Sequence, residues 1–350
     1  MTGTSPTPRK ILVIRPGAMG DILVATPLLP NLRRAFPESH IAFLAGRKFV
    51  PVLKANPYLD EIIVFDKEKM GKRWNAGRIG REIRFVASIR ARQFNIVFDL
   101  MGNLRSAILS LASGAGIRVG YSYRVRRFFY NRTVFARNPQ YVVEFNLDSL
   151  RRLNIPVVQK DIHLPVDETD ISFATQWLSA KGVCGGAPAV GLFPGGGWQS
   201  KRWPEEHFVR LGDLLARRLG AVVLVMGGPM EKDSVERIVS AMSSSPLKVE
   251  GLALSRFAGL VSRLDLFVSS DSGPRYLAVA AGVPSIGLFG PTHAPNANPP
   301  DPAHVALTYG GECTDCNKLF CAEKDCMKGI TPEHVYEEAV RLLGSPGRSS

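Results

Sequence analysis

The sequence predicts an α/β protein of two domains, each a mostly parallel sheet wound with helices. Its short apolar runs are rich in Val and Ile and continuous rather than alternating, as in strands covered on both faces. Stretches long enough for crossover helices separate them, which favours parallel pairing. The series pauses near Pro165 and resumes after a segment containing Gly and Pro, Gly182 to Pro188. A chain of 350 residues has the length to bury two cores.

Lys10-Ile11-Leu12-Val13-Ile14-Arg15 is the first expected strand, and Pro16 to Asp21 make the turn that follows. From Ile22, apolar residues recur at helical spacing through Leu28, Leu29 and Leu32. Pro27 fits such a helix only within or just after its first turn. Asp21 falls at the N-cap or in the first turn, so it reads equally as a cap or as a carboxylate presented to a ligand. Further strands are expected at His40–Ala45, Glu61–Phe65 and Asn95–Leu100. After a helix over Ile171–Lys181 come strands at Ala189–Phe193, Ala221–Met226, Leu266–Ser269 and Ser285–Phe289. The expected division is a loose tail over 1–9, a first domain over 10–167, a second over 168–344 and a loose tail over 345–350.

Apolar residues make up 45% and charged residues 21%, an ordinary balance for a globular protein. The polar N-terminus does not resemble a secretory signal. One long uncharged stretch, Tyr276 to Thr292, is interrupted by Gly282-Val283-Pro284 and makes a poor membrane span. Net charge is +13. One concentration of it runs from Arg118 to Arg137, through Arg124, Arg126, Arg127 and Arg132, with Tyr121, Tyr123, Phe128, Phe129 and Tyr130 interleaved and no acid between. It reads either as a solvated basic face or as a surface that attracts phosphates. No nucleic-acid-binding motif accompanies it, so a membrane surface or a lipid-linked phosphate is the expected partner and nucleic acid is not.

In the second half, Gly195-Gly196-Gly197 follows a strand and precedes Lys201-Arg202-Trp203-Pro204. Glycines let backbone N–H groups approach a phosphate, and Lys201 adds a mobile cation. The spacing is not that of a P-loop. Glu231, after Gly227-Gly228-Pro229-Met230, reads as a ribose acceptor or as an acid at a helix start. Asp271-Ser272-Gly273-Pro274 again joins a strand to a helix. Ser272 and Gly273 can donate to a diphosphate, while Asp271 either braces the loop or touches the ligand.

Gly20-Asp21 with Thr26-Pro27, Asp99 with Gly102 and Arg105, Lys201-Arg202-Trp203-Pro204, Gly228-Pro229 with Glu231, Asp271-Ser272-Gly273-Pro274 and Phe289-Gly290-Pro291-Thr292 together resemble the motif set of the family-nine glycosyltransferases, the bacterial lipopolysaccharide heptosyltransferase family. The resemblance spans about Lys10 to Val340. It implies a GT-B fold, two Rossmann-like domains facing across a cleft, with acceptor on the first and nucleotide sugar on the second. It implies inverting, metal-independent transfer of heptose from ADP-L-glycero-D-manno-heptose to the lipopolysaccharide inner core. The enzyme would need no cofactor, take a lipid-linked phosphorylated glycan as acceptor, and work as a cytoplasmic protein peripheral on the inner membrane. Asp21 would be the general base and Lys201 would neutralise the departing diphosphate. Gly195, Gly196, Gly197, Glu231, Asp271, Ser272, Gly273 and Tyr276 would hold the donor; Arg15, Gly20, Arg105, Arg124 and Arg126 would hold the acceptor. Arg15 stands where the family often has lysine, and Tyr276 where it usually has histidine.

The chemistry agrees. An attacking hydroxyl must lose a proton, and a carboxylate within reach can take it. No Asp-x-Asp pair occurs, so Lys201 and helix N-terminal amides are expected to stabilise the leaving group electrostatically. Two other readings stay open: a relative using another nucleotide sugar, and a binding protein that keeps the fold without catalysis. Cys313, Cys316, Cys321 and Cys326 cluster at a spacing that is not a standard zinc pattern, and a structural or redox-labile knot is expected over a metal site. Cys184 reads as an ordinary thiol.

Overall fold

The computed structural model describes residues 10–66, 76–135, 140–183, 185–311 and 313–344. The two expected tails, Arg137 and Cys184 lie outside the described residues. The chain divides into two compact units, the first ending at Pro165 and the second beginning at Val166.

The first unit runs β1 (Lys10–Ile14), α1 (Met19–Leu23), α2 (Leu28–Ala35), β2 (His40–Gly46), β3 (Glu61–Phe65), α3 (Ala76–Ala91), β4 (Ile96–Asp99), α4 (Leu104–Ala112), β5 (Ile117–Tyr121), β6 (Arg132–Val134) and α5 (Val142–Arg151). Its six strands are all parallel, in the order β3-β2-β1-β4-β5-β6. Ile11 to Ile14 are wholly buried, as a strand covered on both faces requires. Leu12, Ile14, Leu44, Val97 and Ile89 join one apolar cluster beneath α3 and α4. Each such side chain contributes about 1.5–3 kcal/mol by leaving water.

The second unit runs α6 (Glu168–Ala180), β7 (Ala189–Phe193), α7 (Glu205–Leu219), β8 (Val222–Met226), α8 (Lys232–Ala241), β9 (Leu247–Val249), α9 (Leu254–Val261), β10 (Leu266–Ser270), α10 (Gly273–Ala280), β11 (Ser285–Phe289), α11 (Ala294–Ala297), β12 (His304–Thr308), α12 (Asp325–Lys328) and α13 (Pro332–Gly344). Its parallel sheet has the order β12-β11-β10-β7-β8-β9. Counted from each unit's first strand, this is the same order as in the first sheet, the doubly wound arrangement of dinucleotide-binding domains. Both sheets reverse direction of growth beside their first strand, between β1 and β4 and between β7 and β10. The α/β class and the two Rossmann-like domains expected from the sequence are therefore present.

Two helical expectations change. The helix read from Ile22 through Leu32 is broken into α1 and α2, because Pro27 has no N–H to continue the ladder and occupies the N-cap of α2. Thr26 spans the break, donating to Leu23 O (2.7 Å) and accepting from His163 N (2.9 Å). The helix expected from Ile171 starts earlier, at Glu168, with Asp167 as its N-cap.

Candidate functional site

The residues singled out in the sequence collect at the strand ends beside these two switch points, in one cluster per unit. In the first, Asp21 lies in the opening turn of α1 with its side chain 42% exposed, and its carboxylate pairs with Arg15 at 3.0 Å. That ion pair engages the carboxylate, and the capping role is not the one displayed. Arg15 also donates to Leu100 O in the loop after β4. Gly17 makes this geometry possible, since a Cβ there would stand 2.6 Å from Asp21 Oδ2. Gly20 is buried within α1.

The loop after β4 is shaped by Asp99. Its buried carboxylate accepts from Met101 N and Gly102 N, both at 3.0 Å, and from the Tyr130 hydroxyl at 2.7 Å. Burial raises its pKa against the pull of those bonds. Gly102 takes a left-handed backbone (φ +62°) that suits glycine, and its carbonyl accepts from Arg126 at 2.7 Å. Arg15 and Arg126 therefore converge on one loop. Arg126 also lies 5.3 Å from the Tyr123 ring. Arg124 is exposed, with a φ of 40° unusual for its type. Arg105 is engaged by Glu82 of α3 and stacks 4.9 Å over Phe65.

In the second cluster, Lys201 and Asp271 form a sheltered pair at 2.5 Å, with side chains 15% and 14% exposed. Thr292 donates to the same oxygen, Asp271 Oδ2, at 2.9 Å, and Lys201 Nζ lies 4.3 Å from the Trp198 ring. Asp271 thus braces three loops, the bracing alternative of the sequence reading. Ser272 is the N-cap of α10, its Oγ 3.3 Å from Ser269 Oγ, and Gly273 is the first residue of that helix. Tyr276 is buried and its hydroxyl donates to Ala297 O at 2.8 Å, fastening α11.

Glu231 occupies the N-cap position of α8, where its side chain makes no cap bond and instead accepts from Gly228 N at 3.2 Å. A Cβ at Gly195 would fall 2.7 Å from Glu231 Cγ, so packing alone requires that glycine. It does not require the next two: a Cβ at Gly196 would make ordinary contacts and one at Gly197 none. Gly195, Arg202 and Glu231 line a cavity of about 610 Å³ shared with Lys324 and Lys328. A larger one in the first unit, about 1210 Å³, opens beside Asn95, Ile117 and Arg132, at the opposite ends of the strands.

The four clustered cysteines are free thiols. Burial, reinforced by neighbouring Cys313 and Cys316, pushes the Cys326 thiol up to about 11. Among the described residues, no group of three or more His, Cys, Asp or Glu side chains is arranged to hold a metal ion. The loop that carries the cysteines ties neighbouring segments of the second unit together. Asp315 N and Asn317 N donate to Gly290 O and Pro291 O, while Ser200 donates through Oγ to Lys318 O at 2.5 Å and through N to Leu319 O. Gly17, Tyr130 and Trp198 are the site residues that sequence reasoning missed. The proximity of Gly17 to the motif aspartate was the one available signal.

The model of glycosyltransferase family 9 (heptosyltransferase) matches residues 83–327. Lipopolysaccharide heptosyltransferase 1 of Pseudomonas aeruginosa is 24% identical over 96% of this chain and 99% of its own length. A family 9 glycosyl transferase from Veillonella parvula superposes with a TM-score of 0.82 at 26% identity, covering 96% of this chain and 97% of that one. The ADP-heptose lps heptosyltransferase II of E. coli superposes with a TM-score of 0.75 at 21% identity, covering 95% and 98%.

Proposed function

Because the chain belongs to glycosyltransferase family 9, we propose that it moves heptose from ADP-L-glycero-D-manno-heptose to the lipopolysaccharide inner core, with inversion and without a metal or other cofactor. The observation that carries this reading is Asp21: an exposed carboxylate in a helical first turn, oriented by Arg15 and given room by Gly17. A binding protein has no need of a carboxylate held in this way. The names of the similar proteins from Pseudomonas aeruginosa and E. coli support the acceptor and the donor.

In this mechanism Asp21 accepts the proton of the acceptor hydroxyl as that oxygen bonds to the anomeric carbon and the bond to ADP breaks. Lys201 leaves Asp271 for the diphosphate, which gathers negative charge as it departs. Gly196 and Gly197, unexplained by packing, let backbone N–H groups approach the phosphates, and Ser272 and Gly273 add the N-terminus of α10. Glu231 receives the ribose hydroxyls, and Tyr276 and Asp271 shape the sugar site. Arg15, Gly20, Arg105, Arg124 and Arg126 bound the acceptor's phosphorylated sugars. The acceptor is lipid-linked, so the enzyme works as a peripheral protein at the cytoplasmic face of the inner membrane.

The test is ADP release from ADP-heptose with core acceptors truncated at successive sugars. Asp21→Asn is expected to fold and bind donor normally while turnover falls by a factor on the order of 100 or more. Near-normal turnover would remove Asp21 from the role of base. Tyr276, standing where histidine is usual, favours a second reading in which the donor is another nucleotide sugar. Release from such a sugar with none from ADP-heptose would establish it.

A further inference from the structure

We propose that the outer face of α3, α4 and the 3₁₀ turn Arg124–Phe129 is a docking surface for an anionic lipid bilayer. The first observation is that α4 is inside out. Ser106, Ala107 and Ser110 face the core, while Leu104, Ile108 and Leu111 are about half exposed (54%, 46% and 47%). Spacings of four and three place these three side chains on one stripe. Packing on the sheet cannot explain them, since the small residues and Leu109 already fill that face.

The neighbours repeat the pattern. α3 turns Phe85, Val86 and Ile89 towards the sheet and leaves Ile79 and Ile83, one turn apart, exposed. Val125 and Phe128, three apart in a 3₁₀ turn and so on one side, are also exposed. α4 packs against both elements, which makes the three stripes neighbours on one surface. Apolar groups gathered this way mark an interaction site.

Charge selects the occupant. The three elements carry eight arginines (Arg78, Arg81, Arg84, Arg90, Arg105, Arg124, Arg126 and Arg127) against one acid, Glu82. Up to Pro165 the chain holds 27 Lys and Arg against 11 Asp and Glu; beyond it, 17 against 20. The entire basic excess belongs to the unit that bears this face. Two copies of such a face repel each other, and no nucleic-acid-binding motif accompanies it. A bilayer with anionic headgroups satisfies both features: the apolar side chains enter the headgroup–acyl boundary and the guanidinium groups meet phosphates. The face also adjoins the cluster of the first unit, because Arg126 of the turn and Arg15 beside Asp21 both donate to the loop at Leu100–Gly102. The purpose of the docking rests on the proposed lipid-linked acceptor; the binding itself does not.

The full chain is sedimented with phosphatidylcholine vesicles with and without phosphatidylglycerol. It is expected to bind the anionic vesicles and not the neutral ones. Two variants, Ile83→Ser/Ile108→Ser/Val125→Ser/Phe128→Ser and Arg84→Glu/Arg127→Glu, are each expected to lower the partition about tenfold or more, through loss of buried apolar area in the first and of attraction to anionic headgroups in the second. ADP release with a delipidated, water-soluble acceptor is expected to be unchanged in both. Equal binding to neutral vesicles, or undiminished binding by both variants, would overturn the proposal. So would a lipid-free dimer that the apolar variant converts to monomers, which would make the face a contact between copies. Absence of ADP release by the unaltered chain would overturn the transfer reading and leave the vesicle result standing.

Discussion

A methyl group at position 17 would compete for space with Asp21 Oδ2, so Gly17→Ala must turn the carboxylate away from Arg15 or displace the turn that carries it. Turnover is expected to fall about 100-fold, the scale of an ångström-sized misplacement of a reacting group. Donor binding should be unaffected, because the donor is assigned to the other unit. Adding Gly17→Ala to Asp21→Asn should cost little more, and steady-state kinetics of the single and double variants check this; additive losses would mean that Gly17 acts elsewhere. The motif residues Asp21, Lys201 and Asp271 were legible because each sits where an apolar run gives way to a helix. Gly17 was not, since glycine after proline reads as a turn former and the reason for it lies four residues on. Whether Asp271 touched ligand or braced its loop was equally hidden, because its partners Lys201 and Thr292 are 70 and 21 residues distant.

The central strands were read from the sequence, as was the apolar edge strand β3; those missed are β5, β6, β9 and β12, at or next to the sheet edges. The reason is physical: a strand covered on both faces must be apolar throughout, whereas Ile117–Tyr121, Arg132–Val134 and Leu247–Val249 carry a basic residue and are only partly buried. β12 opens with His304, which contacts Ser285 Oγ through Nδ1 at 3.0 Å. Burial, aided by Arg275, pushes its pKa down from 6.5 to about 4. The folded protein therefore keeps His304 neutral where the unfolded chain would protonate it, so stability rises with pH across that interval. The contribution, on the order of 3 kcal/mol, is complete above about pH 6.5 and is lost progressively towards pH 4. Denaturant midpoints between pH 7 and 4.5 should fall more steeply for the native chain than for His304→Gln. Parallel slopes would show that other groups govern the acid response.

At the scale of the molecule, the doubling of the strand series was legible, because each half repeats the same run of short apolar segments. The direction in which each helix turns its apolar residues was not. In α4, Leu104, Ile108 and Leu111 form as good a helical stripe as any core face, and only the fold shows it pointing outwards. The placement of charge was present in the sequence and acquires its meaning from the division at Pro165. The positive excess of the first unit draws that unit towards an anionic surface before any contact forms. Encounter with anionic vesicles, followed by stopped-flow energy transfer, should accordingly slow as salt rises and the Debye length shrinks below about 10 Å. Departure, set by Ile, Val and Phe side chains already seated in lipid, should hardly change. On the proposed docking, charge sets how fast the first unit arrives at the surface, and apolar contact sets how long it stays.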